Sequence, residues 1–248
     1  MAIAFKWLNF SNSITGDPTT GPKTIGVANA NTAAGSVAAG DLLIAGISLY
    51  APPPTDTVTK PAGWTQFGGP LSDSGNGSQS QFYYHVAAAP ETVGSPAYDF
   101  NNSASRYWGW TLMCYSGVDG TTPIDDFRVQ MDTSGGGSLI IPFGGGSFTT
   151  TAANDLFVML LETFMPTTAT VFTFPTGSTT RQPITMQVAG TFANAAGDLV
   201  ITTVGSAGPY GISAEAFKNY AYVAVMLKAA SGGPVAPPPR VIGGLLGD

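Results

Sequence analysis

Hydrophobic positions in this chain fall in short runs, divided by clusters of Gly, Pro, Asn, Asp and Ser. Ile3-Ala4-Phe5-Lys6-Trp7 alternates large and small side chains and reads as a strand. Further strands are predicted at Lys23–Val27, Leu42–Tyr50, Trp64–Phe67, Gln81–Val86, Ala97–Phe100 and Tyr107–Tyr115. The second half offers Ser138–Phe143, Leu156–Phe164, Val171–Phe174, Ile184–Val188, Leu199–Val204 and Tyr220–Lys228. The intervening residues supply positive φ, fixed φ and local side-chain caps, which are what turns require. Ala51-Pro52-Pro53-Pro54 ends a strand, because three successive residues lack a donor. Helix is scarce. Its best candidate is Ser213–Lys218, with Ser213 as the N-cap.

The strand pattern occurs twice at one spacing. Gly40-Asp41-Leu42-Leu43-Ile44-Ala45 matches Asn154-Asp155-Leu156-Phe157-Val158-Met159, and Pro61-Ala62-Gly63-Trp64-Thr65 matches Pro175-Thr176-Gly177-Ser178-Thr179. Trp108–Met113 falls opposite Tyr222–Leu227. The offset is 114 each time, from Asp41 to Asp155, Gly63 to Gly177 and Trp108 to Tyr222. The predicted fold is therefore all-β: a jelly-roll-like β-sandwich over residues 1–230 with an internal two-fold pseudo-repeat, its halves about 1–126 and 127–230. Two arrangements are open. Each half forms its own sandwich, or both supply strands to the same two sheets. The second is preferred, since no linker divides the halves and about 110 residues each would give thin sandwiches with exposed edges.

Composition narrows the function. A chain of 248 residues buries a core without staples. Charged residues are only 10%, against roughly 25% in an average soluble protein. Gly, Ser, Thr, Ala and Asn take their place, giving a polar, nearly uncharged surface that suits either coverage by neighbours or a protein kept soluble by hydroxyls and amides. The formal charge is −6 and the nine Lys and Arg residues are scattered singly. That argues against nucleic acid and against a polybasic membrane patch, both of which need clustered cations. No segment approaches the roughly 18 apolar residues of a spanning helix. The start of the chain shows no export signal, so synthesis and retention in the cytosol are expected.

Candidate chemistry is sparse. Cys114 lies in the apolar run Trp110–Tyr115 and reads as a buried small hydrophobe. His85, the one histidine, has no Gly-x-Ser-x-Gly partner and reads as a satisfied strand residue. One His and one distant Cys do not make a zinc site. Asp119, Asp125 and Asp126 read as a turn with exposed acids; their spacing does not fit a calcium loop. Gly135–Gly137 and Gly144–Gly146 read as turns around a strand, without the Lys-Ser/Thr ending of a phosphate loop. Trp108 and Trp110 share a strand face with Leu112 and read as core, whereas Trp64, in a turn-like setting, is the candidate for an exposed glycan platform. Asn9, Asn76 and Asn101 form Asn-x-Ser sequons, which carry little weight without a secretion signal. No catalytic residue, metal ligand or cofactor is expected.

After Lys228 the composition changes. Ala-Ala-Ser-Gly-Gly leads into Pro234-Val235-Ala236-Pro237-Pro238-Pro239, a stiff polyproline II spacer. Residues 231–248 are expected to form an extended docking segment, with Val241, Ile242, Leu245 and Leu246 seated on another subunit.

The motif order also carries a resemblance. Gly-Asp-Leu-Leu-Ile-Ala and Pro-Ala-Gly-Trp-Thr are followed by Phe82-Tyr83-Tyr84-His85-Val86, Tyr115-Ser116-Gly117-Val118-Asp119 and Pro123-Ile124-Asp125. Thr149–Leu156 and the closing Tyr222–Lys228 complete it. Over about residues 37–229 this resembles β-sandwich virion proteins and modules of tailed bacteriophages and prophages. The lysine usual after the Tyr-Tyr pair is His85 here, and the second-half Trp is Tyr222. The resemblance implies a non-enzymatic virion structural protein, first a capsid decoration or cement protein, then a tail, collar or fibre component. It implies the major capsid protein or other virion subunits as partners, a homo-oligomer with a trimer favoured, and residence in the virion after synthesis in the bacterial cytoplasm. A carbohydrate-binding module is the rival class.

Overall fold

The structure is a computed structural model and describes residues 2–11, 21–25, 35–50, 58–73, 77–92, 98–102, 107–132, 139–142, 147–164, 172–186, 192–208, 210–214 and 219–231. Strands are numbered in chain order. All the described regular structure is β. One sheet has the order β1 (Ala4–Ser11), β9 (Tyr107–Ser116), β3 (Leu42–Tyr50), β7 (Ser78–Val86), β5 (Thr65–Gln66), with β6 (Leu71–Asp73) also on β7. A second has the order β10 (Ile124–Asp132), β19 (Asn219–Leu227), β13 (Asp155–Phe164), β16 (Phe192–Ile201), β15 (Thr179–Met186). Three smaller sheets complete the fold: β2 (Gly21–Thr24), β8 (Asp99–Asn102), β4 (Val58–Thr59); β11 (Leu139–Pro142), β18 (Gly211–Ala214), β14 (Phe172–Thr173); and the pair β12 (Phe148–Thr150), β17 (Gly205–Ala207).

Each sheet draws its strands from one half of the chain. This corrects the expectation that both halves feed the same two sheets. The objection to separate sandwiches was that they would be thin, with exposed edges; thinness is answered by packing, since each large sheet is covered on both faces. The two large sheets bury one face on each other, through Leu42, Ile44, Met113 and Tyr115 on one side and Val158 and Val223 on the other. The far face of the first sheet, with Leu43, Ile47, Trp110 and Leu112, is covered by Ile25, Tyr98 and Phe100 around the β2-β8-β4 layer. On the far face of the second sheet, Phe157, Met159 and Tyr222 meet Phe148, Ala207 and Phe174. Every residue of Leu42–Leu49 and Leu156–Leu161 is buried, as strands covered on both faces must be.

The motif shared by both halves makes the same turn twice. Gly40 (φ 82°) and Asn154 (φ 68°) sit in the left-handed region that Gly and Asn tolerate best. The next residue is an aspartate that closes the turn. Asp41 accepts from Ala38 N at 2.6 Å and from Lys6 Nζ at 2.6 Å. Asp155 accepts from Ala152 N at 3.1 Å, Thr151 N at 3.2 Å and Ala229 N at 2.8 Å.

Two further expectations change. Gly211–Ala214 is a strand where a helix from Ser213 was expected, and residues 215–218 lie outside the described residues. Asp125 and Asp126 lie in β10, and only Asp119 is in a turn, accepting from Thr121 N and Thr122 N at 2.9 Å. Those bonds hold its carboxyl below the ordinary range.

Candidate functional site

Three places hold polar side chains in unusual settings. The first lies between the two large sheets. Their shared face is apolar at one end, but β3 continues past Ile44 to Gly46 and Ser48, and β13 passes Leu160 to reach Glu162. Glu162 is 1% exposed. Ser48 Oγ donates to its Oε2 and shares a 2.9 Å bond with Ser80 Oγ. Beside them Asn194 Nδ2 donates to Thr111 Oγ1 at 2.6 Å, linking the sheets again. Among the described residues Glu162 Oε1 has no partner, and burial pushes the carboxyl up to about 8. Gly46 makes room for it: a Cβ there would stand 2.5 Å from Glu162 Oε1 and 2.9 Å from Leu160 Cδ2. Gly46→Ala is therefore expected to destabilise the fold by about 2 kcal/mol, read as a lower urea midpoint. This cluster is sealed from solvent, so it joins sheets and meets no substrate.

The second place surrounds His85 on β7. Its Nδ1 lies 3.0 Å from Gly63 O and its Nε2 lies 2.8 Å from Glu91 Oε1, while Tyr98 Oη donates to Glu91 Oε2 at 2.8 Å. Both ring nitrogens are thus engaged within the fold. Burial and the adjacent Glu91 raise the Tyr98 phenol, which stays neutral. Trp64 stacks on this imidazole with ring centroids 5.3 Å apart and meets Tyr98 and Phe100 edge-on. It is 2% exposed, so the platform expected from its turn-like setting is covered. Trp108 and Trp110 are buried in the same core, as read from their spacing with Leu112, and Cys114 is buried beside them, its thiol pushed up to about 12 chiefly by burial. Of the sequons, Asn9 is buried, Asn101 is exposed on β8 and Asn76 lies outside the described residues.

The third place opens to solvent. A cleft of 330 Å³ lies at the seam between β5, at the edge of one large sheet, and β10, at the edge of the other. Its rings form a row: Tyr84 to Phe67 at 4.9 Å, then Phe67 to Phe127 at 5.3 Å. Phe127 is 38% exposed, one of three large hydrophobics exposed among the described residues. Asp125 and Asp126 form an acidic wall, with Thr65 and Gln66 on the other strand. Asp126 pairs with Arg128 and accepts from Thr149 N at 3.2 Å. Asp125 accepts from Thr151 N at 2.7 Å and makes no ion pair among the described residues. Nearby, Asp155 is raised above its ordinary range, first by burial and then by the carboxyl of Asp125. Rings beside carboxylates are a chemistry for flat apolar groups that end in a cation.

Sequence reasoning missed both Glu162 and the cleft. Glu162 had a signal, as the one charged residue in the apolar run Leu156–Phe164. The cleft had none, since Phe127 reaches Phe67 and Tyr84 only through the stacking of the sheets. Val241, Ile242, Leu245 and Leu246 lie outside the described residues. Among the described residues no three His, Cys, Asp or Glu side chains converge to hold a metal, and no helix is long and apolar enough to cross a membrane. Comparison with protein-family models, with curated proteins and with solved structures found no match.

Proposed function

We propose that this chain is a structural protein of a bacteriophage virion, first of all a head decoration protein that clamps neighbouring capsid subunits through buried surface. The observation that carries this reading is the order of motifs from Gly40-Asp41-Leu42 to Tyr222–Lys228 and its resemblance to phage sandwich modules. Strand order supports it. In a jelly roll the chain alternates between two facing sheets, so the first strand lies beside the last and the second beside the last but one. Here β1 lies beside β9 and β2 beside β8, and β10 and β11 stand in the same relation to β19 and β18. We read the molecule as two such rolls related by a pseudo-two-fold axis. Ser48 and Glu162, 114 positions apart, touch each other, as equivalent residues do beside such an axis.

In this reading the protein is a homo-oligomer, with a trimer on a local three-fold axis favoured. It is made in the bacterial cytoplasm, resides in the virion and binds the major capsid protein or a neighbouring virion subunit. Val241, Ile242, Leu245 and Leu246 supply an apolar contact to that neighbour. Quantitative mass spectrometry of purified particles, normalised to the major capsid protein, tests it. Hundreds of copies per particle are expected. A few dozen copies would move the protein to the tail, collar or a fibre, and absence from the particle would end the virion reading.

A further inference from the structure

The cleft between β5 and β10 is shaped for an occupant that the chain itself carries. Its rings are the first argument. Tyr84 and Phe127 stand on either side of Phe67, whose ring is buried beneath them, and aromatic-lined grooves are how polyproline II segments are recognised. A proline run is already extended and rigid, so it loses little entropy on docking.

Charge is the second argument. The acidic wall stands beside the rings, and Asp125, held by Thr151 and lying against the Asp155 carboxyl, makes no ion pair among the described residues. A fitting segment has prolines followed by a cation. The chain has two proline triplets. Pro52–Pro54 leads into Thr55-Asp56, whose acid the wall would repel, whereas Pro237–Pro239 leads directly into Arg240. The opposite seam shows the same recognition built from within. There the Arg181 guanidinium lies 4.4 Å over the Phe5 ring and pairs with Asp198 at 2.6 Å.

Connectivity is the third. After β19 the chain stays beside the cleft: Lys228 N donates to Pro123 O at 2.9 Å, and the next residue, Ile124, lines the cleft. Ala230 N then donates to Gly117 O at 2.9 Å. Ser231 is thus only a few strand residues, on the order of 15 Å, from the cleft. The segment from Ser231 to Arg240 spans about 28 Å in polyproline II form, enough to fold back.

We propose that Pro237–Arg240 of the same chain seats in this cleft, the prolines against Phe127 and Tyr84 and the guanidinium against Asp125. Docking there gives the aliphatic residues that follow a fixed point of departure. The proposal stands independently of the virion reading.

The test uses the full chain. A nitroxide is attached through Val241→Cys in 15N-labelled protein; Cys114 is buried and does not compete. Amide signals of Gln66 and Phe127 are expected to lose intensity at least threefold relative to the reduced label, while those of Phe5 and Arg181 at the opposite seam keep theirs. Adding Arg240→Glu, which reverses the charge offered to Asp125, should restore most of the loss. Dilution with a tenfold excess of unlabelled chain should leave the effect unchanged. Absent or uniform broadening would overturn the proposal. So would an effect that disappears on dilution, which would make a second copy the occupant.

Discussion

Replacing Glu162 by Gln is expected to make the protein more stable at pH 8 by about 5 kcal/mol, and to change little below pH 4.5. The native carboxyl is held neutral up to about 8 by burial between the sheets, whereas in the unfolded chain it ionises near its ordinary 4.5. Between those values the unfolded state binds fewer protons than the native state. Stability therefore falls as pH rises from 4.5 towards 8, at about 1.4 kcal/mol per pH unit. Above 8 both states are ionised and the loss is complete. Glutamine keeps an acceptor for Ser48 Oγ and has no proton to lose. Other acids also titrate, so the informative quantity is the difference between variant and wild-type unfolding free energies in urea, followed from pH 4 to pH 9. A rising difference is expected. A flat one would mean that Glu162 is ionised in the fold, with a cation or water meeting Oε1.

Glu162 also marks how far the sequence could be read. Leu42–Tyr50 is legible to both ends because Pro52 follows closely, and Tyr107–Tyr115 falls one residue short of the strand end at Ser116. The all-β class followed from many such runs with turn residues between them. β10 was missed because Asp125-Asp126 hides the alternation of Phe127, Val129 and Met131 behind two acids. Ser213-Ala214-Glu215-Ala216 has helical propensity, yet Gly211–Ala214 pairs with β11 and β14, where tertiary pairing overrides local preference. The stacking of the two halves had a visible cue that was not used. Leu42–Leu49 and Leu156–Leu161 lack the alternation of strands with one wet face, so both faces had to be covered. The cleft was out of reach, because β5 and β10 are neighbours only after the sheets have stacked.

Trp64→Ala is expected to cost about 3 to 5 kcal/mol of folding stability, the range for deleting a large buried aromatic. Trp64 is 2% exposed and holds three rings: His85 against its face, and Tyr98 and Phe100 at its edge. Tyr98 and Phe100 belong to the outer layer and His85 to the large sheet, so the indole is the packing joint between layers. Its place is fixed by the turn before it, where Gly63 has φ 84° and Trp64 N donates to Pro61 O at 3.4 Å. For a chain of this size the loss corresponds to a fall in Tm of roughly 6 to 20 °C, measurable by calorimetry. Trp64→Phe keeps most of the apolar body and should lose less than half as much. The same pair separates packing from recognition. A binding platform would leave Tm near wild type in both variants and lose only ligand. A joint between layers lowers Tm in proportion to the ring removed, whatever the solution contains.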